Sequence, residues 1–171
     1  MDATSLKALQ EPLKAKYKSE PEAALITLRA KSHLGDGVTC NIETGKTLAK
    51  AGLHPATGGD GLSVCSGDML LEALAACAGV TLNAVATATG FDLRDAYVHA
   101  EGDLDFRGTL SVDRSAPVGF KEIRMRFEIH SPESEEKTAK LIQLTERFCV
   151  VYQTLVRANP IPVSVTLAND R

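Results

Sequence analysis

The stretch SGDMLLEALAACAGVTLNAVATATG, Ser66 to Gly90, decides the fold. Ser66 suits a helix N-cap, because its hydroxyl can accept an orphan backbone N–H of the first turn. Behind it Leu70, Ala73, Leu74, Cys77, Thr81, Ala84 and Ala88 recur at steps of three and four until Gly90 stops the pattern. The reading is a long apolar helix with Cys77 on its buried stripe.

Upstream, residues 52–61 (GLHPATGGDG) form a loop by composition, since Pro55 and the glycines deny regular structure. Before it, Leu25-Ile26-Thr27-Leu28-Arg29 is rich in strand formers, Gly35-Asp36-Gly37 supplies a turn, and Val38, Cys40 and Ile42 alternate with polar residues, which predicts a hairpin. At the N-terminus Leu6, Leu9, Leu13 and Tyr17 have helical spacing, but Pro12 falls among them. A short, broken helix is expected there, within an N-terminal extension of residues 1–22 packed as an appendage.

Downstream, residues 92–106 read as a strand with Val98, Ala100, Leu104 and Phe106 on one side and Tyr97, His99, Glu101, Asp103 and Asp105 on the other. Ile123, Met125, Phe127 and Ile129 alternate with Glu122, Arg124, Arg126 and Glu128 in a second. Antiparallel pairing of the two would set acid against base across the strands. Ser131-Pro132-Glu133 reads as a helix start, and Asn159-Pro160 as its end. Leu141, Leu144, Phe148, Val151 and Leu155 make one stripe of that helix, with Ile142, Thr145, Cys149, Tyr152 and Val156 beside it. A last strand is expected over residues 161–167. Strands then helix, strands then helix then strand, make an α+β fold with antiparallel sheet.

The chain has 171 residues, 44% of them hydrophobic, enough for one domain spanning 1–171 with a single substantial core. A net charge of -3 and no basic run interleaved with aromatics argue against a nucleic-acid partner. No apolar segment follows a basic start in residues 1–18 and no eighteen apolar residues run together, so a cytoplasmic protein without membrane attachment is expected. Cysteines at 40, 65, 77 and 149 show no CxxC spacing, against both a zinc ribbon and a secreted disulfide scaffold; metal binding by His54, Cys65 and Cys77 lacks ligand spacing. Cys65 directly precedes the helix cap, but filler is the expected role for it and for Cys40.

Two long helices each carry one cysteine on or beside an apolar stripe, so packing them together could bring Cys77 and Cys149 within disulfide reach. Periodicity alone leaves the plainer reading open, that both are small core residues. The segment from Ser66 to Leu82, with the preceding glycine-rich loop, AEGDLDFRGTL (Ala100 to Leu110) and RFCVVYQTL (Arg147 to Leu155), resembles the OsmC/Ohr family of thiol peroxidases from about Ala24 onward. The resemblance implies an OsmC-like fold of antiparallel sheets around two central helices, in an intertwined homodimer with active sites at the subunit interface. It implies a peroxidatic Cys77, a resolving Cys149, organic hydroperoxides as substrates, an external dithiol as reductant and no bound cofactor. Candidate walls for a substrate tail are Met69, Leu70, Leu74 and Phe148.

The hydroperoxide-resistance branch carries an arginine in the turn after the first strand, where this chain has Leu34-Gly35-Asp36-Gly37. Arg29 on the strand is the nearest substitute. Asp68 matches the family's acid near the start of the first helix, although nine residues before Cys77 puts it on the opposite face; capping is its competing role. His54, in the glycine-rich loop, is a candidate partner for a thiolate or a substrate oxygen. Glu146, one turn before Cys149, would raise that thiol's pKa and make it the poorer nucleophile. The alternative to a peroxidase is a module of the same fold that binds a small hydrophobic ligand at the dimer interface without turnover.

Overall fold

A computed structural model of the protein describes residues 3–34, 40–43, 52–61 and 64–165, with the side chains of 3–7, 28–34 and 40–43 outside that description. The expected turn at 35–37 lies outside the described residues. On either side of it, β1 (Leu25–Leu34) and β2 (Cys40–Glu43) pair antiparallel, as the hairpin reading requires. β1 also pairs with β3 (Asp95–Asp105), and β3 with β4 (Phe120–His130), giving one antiparallel sheet in the order β2-β1-β3-β4.

The two faces of this sheet differ because side chains alternate along each strand. On one face Ile26, Val98, Ala100, Leu104, Ile123, Met125 and Phe127 pack against helices. The other face is charged: Arg124 donates to both carboxylate oxygens of Asp103, at 2.6 and 3.1 Å, and lies 3.7 Å from Glu101, its partner in the register. Thr27, on β1, adds a hydrogen bond to Asp103 of 2.6 Å. The acid-against-base pairing expected from the sequence is therefore present. One adjustment is needed where Asp103 meets Glu122, two acids in direct register; Arg124 lies between them, 3.2 Å from Glu122.

The long helix α2 spans Ser66–Thr89 and crosses the apolar face. It is long and apolar enough to cross a bilayer by length and composition, yet half of its apolar window is buried within the fold, as a core helix requires. Its buried stripe is Leu71, Leu74, Ala75, Ala78, Gly79, Leu82 and Ala86, rotated from the expected one; only Leu74 belongs to both. Ala73 and Ala88 are exposed and Cys77 is half-buried at the stripe's edge. The sequence is apolar nearly all round, so periodicity could not choose which arc meets the sheet. The cap is one residue earlier than expected: the Cys65 sulfur accepts the Gly67 N–H at 3.4 Å. Gly90 ends the helix in the left-handed conformation at φ 66°, which a side chain would strain.

α1 spans Ala3–Ser19 without interruption, so Pro12 does not break it. Its Tyr17 is only 3% exposed, packs with Ala24, Phe106 and Leu110, and donates its hydroxyl to the Ala56 carbonyl at 2.9 Å. The extension is thus docked on the end of the sheet through its own apolar cluster, which the sequence reading as an appendage understated.

The motif GDLDFRG explains that end of the sheet. Gly102 is there because a Cβ would sit 2.5 Å from the Phe120 ring on the neighbouring strand. Asp105 is buried at the end of β3, caps the short helix α3 (Phe106–Thr109) by accepting the Arg107 N–H at 3.1 Å, and takes Arg107 Nε at 3.0 and 3.1 Å. Phe106, expected on the strand, is the first residue of this turn.

The second half of the chain departs most from expectation. The helix begins at Ser134, whose hydroxyl caps Lys137, while Ser131 binds the Asp92 carbonyl and turns the chain ahead of it. It does not run through to Asn159. α4 spans Glu135–Phe148, Cys149 breaks it with ψ 107°, and α5 spans Val150–Leu155. Residues 161–165 are no strand: Ile161, Val163 and Val165 are 84%, 87% and 80% exposed, and residues 166–167 lie outside the described set.

The Arg107 guanidinium holds the Asp105 carboxyl below the usual carboxylate range, its hydrogen bonds outweighing the opposing effect of burial. A folded-state pKa below the unfolded value stabilises the fold above the unfolded pKa, and that contribution is lost as pH falls through the folded one. Asp105→Asn is expected to cost about 2 kcal/mol at pH 7. In urea titrations its deficit against the parent should shrink below about pH 3.9; a deficit independent of pH would contradict this account.

Candidate functional site

Cys77 and Cys149 meet. Cys77 lies mid-way along α2 at the edge of its buried arc, and Cys149 sits at the elbow between α4 and α5, wholly buried. Cys149 forms a small cluster with Ala78 of α2 and Val98 of β3, against which Cys77, Met125, Phe127, Val151 and Tyr152 pack. Cys77 lies near enough to raise the Cys149 pKa, and each thiol is free.

The elbow is built from hydrogen bonds centred on Cys149. Its N–H closes the last turn of α4 on the Thr145 carbonyl at 2.9 Å, and its carbonyl opens α5 by accepting the Gln153 N–H at 2.9 Å. Its sulfur takes the Tyr152 N–H at 3.5 Å, and Gln153 Nε2 reaches back to the Glu146 carbonyl at 2.9 Å. A helical path through Cys149 would carry α5 straight on; the extended residue re-aims it along α2, so that Val151, Tyr152 and Leu155 reach the core around Leu74.

This environment acts on the Cys149 thiol in opposing ways. Burial dominates and pushes its pKa up, to about 11, while the N–H groups at the start of α5 pull it down and the neighbouring Cys77 raises it further. The direction agrees with the sequence expectation. The cause does not: Glu146 is absent from these influences, and desolvation does what its charge was expected to do.

A cavity of about 310 Å³ shares Met125 and Tyr152 with the thiol cluster and is lined further by Leu74 of α2, Phe120, Lys121, Glu122 and Ile123 of β4, and Leu155 and Val156. Of the four residues expected to wall a substrate tail, Leu74 is here. Phe148 is 55% exposed and lies beneath the Arg147 guanidinium at 5.3 Å; Met69 is half-buried in the first turn of α2. Leu70 lines a second cavity, of about 380 Å³, with His54, Cys65 and Phe106.

That second cavity takes in part of the remaining candidates. His54 stacks on Phe106 at 4.9 Å, accepts the Ala56 N–H on Nδ1 at 3.0 Å, and has its pKa lowered by burial against an opposing pull from Asp68. Cys65 is twelve residues, about 18 Å of helix rise, before Cys77. His54 and Asp68 therefore belong to the N-terminal end of α2 and not to the thiol pair. Arg29 pairs with Glu101 in the register; its side chain lies outside the described residues.

Sequence reasoning missed two acids. Asp105 belongs to the motif and could have been found by its spacing to Arg107. Glu72 could not: it is 7% exposed on α2 with one carboxylate oxygen unpaired among the described residues, and burial, aided by Asp68, raises its pKa.

A family profile described as OsmC-like protein matches residues 58–166, which include both thiols, α2, the elbow and the strands between them. The chain belongs to the OsmC-like protein family. It is 34% identical over 101 residues to a protein named hydroperoxide reductase from Mycoplasma genitalium, covering 58% of this chain and 68% of that one. A hydroperoxide reductase from Mycoplasma pneumoniae is 30% identical over 98 residues, covering 57% and 66%. The fold matches an OsmC-like hydroperoxide resistance protein from Jannaschia sp. CCS1 with a TM-score of 0.61 at 16% identity, over 86% of this chain and 97% of that one. An OsmC-like protein from Mycoplasma pneumoniae matches with a TM-score of 0.53 at 20% identity, over 77% and 85%. The α+β OsmC-like fold expected from the sequence is thereby established.

The sulfur environment in this OsmC-like chain predicts a measurable asymmetry. Alkylation of Cys149 by iodoacetamide, followed by peptide mapping, should rise about tenfold per pH unit between pH 8 and 10, because only about a thousandth of it is thiolate at pH 8. Glu146→Gln should leave that profile in place. A profile levelling off near pH 8, or shifted by Glu146→Gln, would contradict burial as the cause.

Proposed function

We propose that this protein is a thiol peroxidase that reduces organic hydroperoxides, with Cys77 as the peroxidatic and Cys149 as the resolving residue. The observation that carries the reading is the packing of Cys77 against the buried cluster that holds Cys149, with Met125 and Tyr152 of that cluster also lining a cavity. The names of the curated relatives support the reaction class.

In the first step the Cys77 thiolate attacks one peroxide oxygen. A sulfur–oxygen bond forms, the O–O bond breaks, sulfur is oxidised by two electrons, and the departing alkoxide takes a proton to leave as alcohol. Cys149 then attacks the Cys77 sulfenic sulfur; the disulfide forms, and the hydroxyl leaves as water with the Cys149 proton. An external dithiol reduces the disulfide by exchange. The half-buried position of Cys77 suits attack on an incoming peroxide, and the burial and raised pKa of Cys149 suit a thiol that waits. No metal or organic cofactor enters this cycle. We place the protein in the cytoplasm, where such a reductant is maintained.

A second reading, a module that binds a hydrophobic ligand without turnover, is favoured by one observation: Arg107, Arg124 and Arg147 are engaged with Asp105, Asp103 and the Phe148 ring. Peroxide consumption with a dithiol reductant separates the two. The peroxidase predicts Cys77→Ser at background, and Cys149→Ser accumulating a sulfenic acid that dimedone traps. Equal background rates in the parent and both variants would leave the binding module.

We also propose a homodimer. Val80 and Val150, and the alternating Ile161, Val163 and Val165, are exposed apolar groups suited to a second copy. Val163→Asp is expected to shift a dimer toward monomer in sedimentation velocity at micromolar concentration. A monomeric parent would end this proposal and leave the peroxidase reading in place.

A further inference from the structure

Cys149 has two partners that compete for one sulfur. On one side is Cys77; on the other is the first turn of α5, where Tyr152 donates its N–H to that sulfur at 3.5 Å. Beyond that contact, α5 is held by the packing of Val151, Tyr152 and Leu155 against the core and by Gln153 Nε2 on the Glu146 carbonyl. It is six residues long, Val150, Val151 and Thr154 are β-branched, and none of its residues is buried. Its backbone is tied by Gln153 N–H to the Cys149 carbonyl and by Val156 N–H to Tyr152, at 2.9 and 3.0 Å. The same helix supplies Tyr152 and Leu155, with Val156 beyond them, to the wall of the cavity, and Tyr152 also packs on the thiol cluster.

We propose that the thiol pair gates its own pocket: joining Cys149 to Cys77 uncaps α5, and the wall formed by Tyr152, Leu155 and Val156 loosens until the disulfide is reduced. This rests on the peroxidase reading for its place in a catalytic cycle, although the coupling itself needs only that the disulfide can form. Bonded sulfurs stand about 2.05 Å apart, so the Cys149 sulfur exchanges its S–H bond for one to Cys77 and is drawn toward it, off the Tyr152 N–H that it holds at only 3.5 Å. The amides at the start of α5 then lose their acceptor, and a short helix of weak intrinsic propensity loses the feature that starts it. The consequence is directional. The reduced protein offers a formed pocket to a hydroperoxide, and the oxidised one opens at the elbow, releasing the alcohol and admitting a dithiol to the otherwise buried disulfide.

The test is amide hydrogen exchange on the full-length protein, read by mass spectrometry, in its reduced state and after oxidation with diamide. Diamide takes two electrons and two protons from the thiol pair and becomes a hydrazine, so no peroxidase turnover is required. Peptide mapping verifies the Cys77–Cys149 link. The expected result is about tenfold faster exchange over residues 150–156 in the linked protein, with α4 unchanged. Cys149→Ala, which has no cap and cannot form the link, should exchange fast without oxidant; Cys149→Ser, whose hydroxyl caps the same amides, should stay slow with or without diamide. Unchanged exchange in protein shown to carry the link, or Cys149→Ala as slow as the parent, overturns the gate and leaves the peroxidase reading intact. Failure of diamide to link the two cysteines would instead overturn both.

Discussion

The structure depends on how closely α2 can lie against its neighbours. Its buried arc carries Ala75, Ala78, Gly79 and Ala86 among only a few leucines, so the helix axis approaches both the sheet and α4 with little between them. Small residues on a buried helix lower the transfer energy of each side chain but bring backbones into dispersion contact over a wider area. Leu71, Leu74 and Leu82 fill the remaining gaps and are the largest side chains in that arc. A helix held so near to two layers leaves a narrow margin at its edge, and Cys77 occupies that margin: half-buried, in contact with the core on one side and accessible on the other.

That contact exists because the backbone turns at Cys149. The chain keeps the last α4 hydrogen bond and then adopts one extended residue, after which α5 restarts at a new angle. The apolar pattern over Leu141 to Leu155 continues across the break, since both helices bury their stripes into the same core. A single ψ value leaves no mark on residue periodicity. Cysteine is also a poor signal for an N-cap, where Ser, Thr, Asp and Asn are the usual residues. Yet this chain uses sulfur twice in that role, at Cys65 and at Cys149.

What could be read from the sequence follows the same logic. Strands with one polar and one apolar face were legible with their antiparallel pairing, because alternation and opposed charge both report it; the structure adds the register, in which Glu101 faces Arg124 and Val98 faces Phe127. The apolar helix was legible as a helix but not in orientation, since residues on most of its arc could have been buried. The terminal strand was misread because Val163 and Val165 alternate with polar residues without a sheet partner among the described residues. Burial depends on what lies opposite, and one chain's sequence does not contain that. The thiol pair was legible only as a possibility, its two members being 149 − 77 = 72 residues apart. The motif GDLDFRG marked the family while serving the fold: its acids and arginine tie strand ends together, away from either thiol.

Unequal thiols divide the chemistry between them. In the proposed cycle a resolving residue that ionised readily would compete for peroxide and could be overoxidised, with no partner left to rescue it. Burial removes that competition at little structural cost, because an uncharged cysteine packs as a small hydrophobe among Ala78 and Val98. The neutral thiol is drawn into reaction only when its neighbour has become a sulfenic acid, an electrophile that compensates for a weak nucleophile by being held against it. The amides of α5 then matter at one moment: they favour the thiolate as its proton leaves, and they lose their partner once the disulfide has formed. An element too short to stand alone is in this way tied to the redox state of the sulfur beneath it.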